Sequence, residues 1–189
     1  LTRHQTLRAA MDWSHDLLGV GERLLFRRLA VFSGGCSLEA VEVVCSGDDL
    51  DSRDAAELLA RLVDRSVVVA EPTAGLGQFG ARMRYRMLET VREYSRERLA
   101  EAGELESLQT RHQRFYVDLA EQGEISFAGS DQAVWLDRLQ LEQDNLRAAL
   151  GWAIPSDARL RLAAALWRFW YQRGPLAEGR AWLEGALRR

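Results

Sequence analysis

Lysine is absent: the basic residues of this 189-residue chain, histidine aside, are all arginine. A phosphate-binding P-loop needs its lysine to reach the phosphates, and Schiff-base chemistry needs a lysine amine, so neither can operate within this chain. Cysteine is scarce. Cys36 and Cys45 are nine residues apart with no C-x-x-C motif, which suits buried free thiols in a reducing compartment. His4, His15 and His112 are scattered, each without a second histidine or cysteine at ligand spacing, so no metal site is expected. No Gly-x-Ser-x-Gly elbow and no Cys–His pairing is present, and no catalytic residue is assigned. No apolar run approaches the roughly 20 residues that span a bilayer, and nothing resembles a signal peptide; a cytoplasmic chain without membrane contact is expected. Leu1 is not methionine and the last segment stops inside a helical pattern, which gives the expectation of a piece of a longer protein.

What is present, 47% apolar residues, suffices for one or two modest cores. Leu7, Ala10, Met11, Ser14, Leu17 and Leu18 follow helical spacing until Gly19 and Gly21 break the run. A second helix is predicted over 22–32, stopped by Ser33, Gly34 and Gly35. Ser37 stands as an N-cap before Leu38, Val41, Val44 and Cys45. Asp51 or Ser52 opens a fourth helix with Ala55, Leu58, Leu59, Leu62 and Val63 inward. A strand over 66–71, β-branched at Val67, Val68 and Val69, ends at Pro72, and the link "TAGLGQFGA" leads to a strand over 82–87. There Arg82, Arg84 and Arg86 alternate with Met83, Tyr85 and Met87, which predicts a wet arginine face and a buried face. From Glu89 the period becomes helical, through Val91, Tyr94, Ser95 and Leu99. Compact helices, a β-hairpin and a further helix are the order of a winged-helix domain, over 1–103 with its preceding helix.

After Gly103 the strand signals end. Leu105, Leu108, His112, Phe115, Tyr116 and Leu119 form one helical face. Beyond a loop around "FAGSD", a single helix is predicted with Trp135, Leu136, Leu139, Gln143, Leu146, Leu150 and Ala153 inward, closed by Pro155. "DARLRLAAALWRFWYQRG" and "PLAEGRAWLEGALRR" read as an antiparallel helix pair, with Gly174 as a stop and Pro175 at a start. Leu166, Trp167 and Trp170 opposite Gly179 and Ala186 suit a stacked helical repeat. The fold class expected is mainly α: a winged helix followed by antiparallel helical repeats over 104–189.

"AMDWSHDLLGVGERLLFRRLAVFSGGCSLEAVEVVC", "LLARLVDRSVVVAE" and "YRMLETVREYSRERL" resemble the segment that follows the ATPase core in signal-transducing ATPases with numerous domains (STAND-type, NB-ARC-like). More narrowly, the chain resembles bacterial transcriptional regulators of the LuxR and AfsR type. "WLDRLQLEQDNLRAALGWA" and "LAAALWRFWYQRGPLAEGRAWLEGAL" resemble the start of their tetratricopeptide-like sensor region. The resemblance implies an ATP/ADP-binding domain upstream, an effector or protein partner on the helical repeats, oligomerisation on activation, and DNA contact through a separate domain. In that family the winged helix carries a Met-His-Asp motif before a helix, its histidine facing the nucleotide. Met87, Leu88 and Glu89 occupy that place here, and a leucine cannot donate a hydrogen bond to phosphate. Two readings stand: Met87 and Leu88 are core residues with Glu89 in a helix first turn, or Glu89, with Arg92, touches the upstream domain or its nucleotide. "EQDN", Glu142 to Asn145, matches the family's wording and reads as polar groups tying adjacent helices.

Charge bears on DNA. Residues 1–103 carry 14 arginines against 16 acids, and 104–189 carry 11 against 12, so neither half is a basic domain. The helix over 53–65 mixes Arg53, Arg61 and Arg65 with Asp54, Glu57 and Asp64. Arg82, Arg84 and Arg86 remain candidates for DNA or an acidic surface, against a solvated strand face paired with glutamates. Five of the six tryptophans lie in the second half. Most should be core, with Trp167, Trp170 and Tyr171 as candidates for a partner surface. The resulting expectation is a non-catalytic relay fragment of a nucleotide-switched regulator, with Gly103 as hinge; the alternative is a winged helix that binds DNA itself.

Overall fold

The computed structural model describes residues 3–47, 49–73, 82–127, 129–152 and 157–187. Helix α1 (Arg3–Asp16) leads into α2 (Val20–Leu29), then β1 (Cys36–Ser37), α3 (Leu38–Val44), a 3₁₀ turn over Ser52–Asp54, α4 (Ala55–Asp64), β2 (Val69–Pro72), β3 (Met83–Arg86) and α5 (Glu89–Glu101). The second half is helical: α6 (Leu105–Ser126), α7 (Gln132–Leu141), α8 (Gln143–Gly151), α9 (Ala158–Ala165), α10 (Trp167–Gln172) and α11 (Leu176–Leu187). The strands form one antiparallel three-stranded sheet in the order β1-β3-β2.

Local chemistry explains most boundaries. The Ser37 hydroxyl accepts from the Ala40 amide at 3.2 Å, capping α3 as expected. Helix α2 begins at Val20, so Gly21 lies inside it, and the Glu22 carboxylate reaches back to the Gly19 amide at 2.6 Å. Asp51 accepts from the Arg53 amide and opens the 3₁₀ turn that runs into α4. Gly103 stops α5 with φ +71°; its amide bonds to the Ala100 carbonyl and that of Glu104 to the Leu99 carbonyl, the paired closure of a Schellman motif.

A continuous hydrophobic core runs through both halves. Leu25, Leu59 and Leu62 fill it in the first half, and Leu99, Leu108, Leu139, Leu150, Leu162 and Phe169 continue it. Helix α6 is the shared wall, packing against α3 on one side and α7, α8 and α9 on the other. Helix α5 is tied to α2 by Ser95, whose hydroxyl donates to the Phe26 carbonyl, and to α1 by Tyr94, whose hydroxyl donates to Asp12.

Several expectations are corrected. The β3 face does not divide into wet arginines and buried apolar residues: Met83 is exposed, whereas the Arg84 side chain is only 12% exposed. The long helix expected from Trp135 onward is two, α7 and α8, meeting at Glu142, which is buried together with Asn145, while Gln143 is only half-buried. The "DARLRLAAALWRFWYQRG" segment likewise divides at Leu166 into α9 and α10. The glycine-rich link over 74–81, Ala153 and Pro155 lie outside the described residues. His112, on the predicted helical face, is fully buried.

Of the tryptophans, Trp170 packs on Gly179, where an added Cβ would stand 2.6 Å from the indole. Gly179→Leu is therefore expected to destabilise the chain by about 1–3 kcal/mol through overpacking. Urea denaturation reads this as a lowered midpoint with an unchanged slope; an unaltered midpoint would show that α11 does not depend on that contact.

Candidate functional site at the strand–helix join

The passage from β3 to α5 borders a cleft of about 250 Å³. Leu29, Phe32, Val68, Tyr85 and Met87 supply its apolar lining, and Arg86, Glu89 and Arg92 its charged wall. Of the three residues at the join, Met87 and Glu89 line this cleft; Leu88 does not, and its side chain is 53% exposed. Glu89 and Arg92 hold each other one helical turn apart, at 2.6 Å and 3.0 Å, and that hydrogen bond keeps the Glu89 carboxyl below its usual range. Arg86 pairs in the same bidentate manner with Glu71 across the hairpin, which lowers the Glu71 carboxyl. Arg82 approaches Glu39 at 3.7 Å.

Arg84 reaches toward the second half of the chain. Its Nη1 donates to Glu142 Oε1 at 2.7 Å, its Nε to the Gly34 carbonyl at 3.1 Å and its Nη2 to the Gly35 carbonyl at 3.0 Å. Glu142 Oε2 also accepts from the Tyr116 hydroxyl at 2.9 Å and from Asn145 Nδ2 at 2.8 Å. Asn145, the sole asparagine of the chain, uses its whole amide: Nδ2 donates to the Gly35 carbonyl as well, and Oδ1 accepts from the Ser33 amide at 2.7 Å and faces His112 Nε2 at 3.3 Å. That arrangement assigns the proton of His112 to Nε2, leaving Nδ1 as a buried acceptor without a partner. Burial pushes the Tyr116 hydroxyl well above its usual range and, with the neighbouring Glu142 charge, keeps it a donor.

The outer face of α4 is charge-balanced. Arg61 pairs with Glu57 on the same helix, Arg65 with Glu22 at 3.4 Å and Arg53 with Asp51 at 2.9 Å. In the helical half, Trp170 is buried at 4% exposure, whereas Trp167 and Tyr171 are exposed at 46% and 72%; a partner surface there would consist of the latter two. Cys36 and Cys45 are buried free thiols, both raised by burial, Cys45 to about 12. Among the described residues no group of three or more His, Cys, Asp and Glu side chains is placed to hold a metal ion, and no helix is long and apolar enough to cross a membrane.

Glu142 and Asn145, read from the sequence as polar groups tying adjacent helices, do tie α6 to the α7–α8 junction through Tyr116 and His112; their link to Arg84 was not foreseen. The available signal was a carboxylate in line with Leu139, Leu146 and Leu150 on a helical stripe, a polar group where the pattern calls for an apolar one.

Residues 18–100 match the family model of the winged helix-turn-helix domain; they form such a domain, with α2, α3 and α4 as its helices and the β2–β3 hairpin as its wing. The chain is 43% identical over 188 residues to "Putative HTH-type transcriptional regulator Rv0890c" of Mycobacterium tuberculosis, a match covering 98% of this chain and 20% of that protein. The same figures hold for "Putative HTH-type transcriptional regulator Mb0914c" of Mycobacterium bovis. The protein Rv0894 of Mycobacterium tuberculosis is 38% identical over 127 residues, covering 67% of this chain and 30% of that protein. The chain thus spans about a fifth of the length of the first two relatives. No solved structure matches it.

His112 gives the site a pH signature. Burial lowers its imidazole to about 3, against an ordinary value near 6.5 in the unfolded chain. Between these values the unfolded chain holds a proton that the folded chain does not. Stability therefore falls as pH drops through that window, by up to about 1.4 kcal/mol per pH unit. His112→Phe removes this contribution, while those of the carboxylates are common to both proteins. Urea titrations at pH 6.5 and 4.5 should show the native chain losing about 2 kcal/mol more than the variant; equal losses would contradict the buried neutral imidazole.

Proposed function

We propose that this chain is a non-catalytic relay segment of a larger, nucleotide-switched transcriptional regulator. In this reading the winged helix couples an upstream ATPase domain to a helical-repeat sensor, represented by residues 104–189. ATP or ADP is bound by the upstream domain and not by this chain. The sensor receives an effector or a protein partner, with Trp167 and Tyr171 as its exposed aromatics. Activation proceeds in the cytoplasm through nucleotide exchange and oligomerisation, and DNA is contacted through another domain.

The observation that supports a coupling role is the pairing of the arginines. Arg53, Arg61 and Arg65 around α4, and Arg82, Arg84 and Arg86 on the wing strand, each have an acidic partner within 4 Å. A DNA reader needs net positive charge facing the phosphates and releases counterions when it binds; here the corresponding faces are neutralised internally. The cleft at Met87, Glu89 and Arg92 is the surface we assign to the upstream domain in the closed state, because it is concave, partly apolar and bordered by a carboxylate and a guanidinium.

The second reading, direct DNA binding by this winged helix, is favoured by the name of the matching domain family and by the names of the relatives. Fluorescence anisotropy of the 189-residue chain with random duplex separates the two. The relay reading expects no saturation below about 0.1 mM at physiological salt, the weak end of non-specific binding. Submicromolar binding that weakens steeply with salt would establish the second reading. In the longer protein, Glu89→Ala is expected to release ADP several-fold faster in a nucleotide-chase experiment; unchanged retention would remove Glu89 from the interdomain contact.

A further inference from the structure

The wing strand is weakly held by its own sheet. On one side β3 pairs with only two residues, Cys36 and Ser37; on the other it pairs with β2 of the same hairpin. A further anchor, and the one that joins the strand to the helical half, is Arg84, which reaches 58 residues along the chain to Glu142 and closes on the Gly34 and Gly35 carbonyls. That seat is shaped for close approach. Gly34 and Gly35 have φ of +71° and +92°, and a Cβ on Gly35 would lie 2.7 Å from the Tyr85 carbonyl oxygen. A side chain at either position would be strained and would hold the strand off.

A buried arginine–carboxylate pair gains little over an apolar contact of equal size, because desolvation offsets the attraction. Leaving one member buried alone is costly, so the two must either pair fully or both reach water. Such a contact is suited to two states rather than to gradual loosening. The 250 Å³ cleft bordering Tyr85 and Arg86 leaves space beside β3 for the strand to shift. The carboxylate end lies at the break between α7 and α8, so it reports the placement of those helices.

We propose that Arg84 and Glu142 form a releasable latch between the wing and the helical half. Closed, it fixes β3 and the 87–92 join against α8. Open, it frees the hairpin and the join while α2, α3 and α4 stay folded. The latch concerns this chain alone and holds or fails independently of the relay proposed above.

Hydrogen–deuterium exchange on the 189-residue chain tests it, comparing Arg84→Met and Glu142→Gln with the native protein and with Arg86→Met, which breaks only the exposed hairpin pair. Opening the latch should speed exchange in β3, the join and the first turn of α8 by about tenfold or more, with amides around Leu25 and Leu59 unchanged and Arg86→Met without effect on α8. A uniform acceleration through all helices, or none, would overturn the proposal. Should the two variants fail to fold, exchange of the native protein in graded low denaturant decides. The latch requires β3 and α8 amides to open together before those of α2 and α4; opening only with global unfolding contradicts it.

Discussion

A carboxylate buried between two halves of a chain must be surrounded by donors or the fold cannot tolerate it. Glu142, at 6% exposure, meets that demand with Arg84, Tyr116 and Asn145, and much of the architecture follows. Helices α7 and α8 meet at this residue, which serves both as the C-cap of one and the N-cap of the other. The Gly34–Gly35 turn is drawn in because its carbonyls complete the donors' bonding. The wing strand is oriented because one of its arginines must point inward. Each member satisfies another's hydrogen bonds, and removing one strands several.

A second contact of the same kind crosses the boundary between the halves. Glu104 receives Arg27 at 2.6 Å and Arg28 at 3.0 Å, and although burial works the other way these bonds hold its carboxyl below the usual range. Arg28, itself buried, also donates to the Cys45 carbonyl. Gly103, expected from sequence as a hinge, is thus followed at once by a residue clamped to α2, and its own amide closes the end of α5. With α6 packed on both sides and a hydrophobic core continuous across the boundary, the two halves share one framework.

Helical periodicity made most of the fold legible: the α5 stripe through Tyr94, Ser95 and Leu99, the α6 stripe through Leu108, His112 and Tyr116, the Ser37 cap and the Gly103, Gly174 and Pro175 punctuation all have local causes. The divisions at Glu142 and Leu166 were not legible, because each keeps near-helical backbone angles and leaves the hydrophobic spacing almost undisturbed. Arg84 was the clearest failure of pattern reading. Alternation along β3 says which residues share a face, but only Glu142, 58 residues away, determines which face is covered. Trp170 and Trp167 were equivalent in the sequence; Gly179 separates them by admitting one ring and leaving the other exposed.

Arg84 and Glu142 act as one unit across the two halves, and a double-mutant cycle measures that most directly. Urea unfolding of the native chain, Arg84→Met, Glu142→Gln and the double variant should give a coupling of about 1–3 kcal/mol, the double variant being less destabilised than the two single changes added together. Additivity within about 0.5 kcal/mol would mean that the two residues act separately, and the buried polar network would lose its place as the contact on which this fold depends.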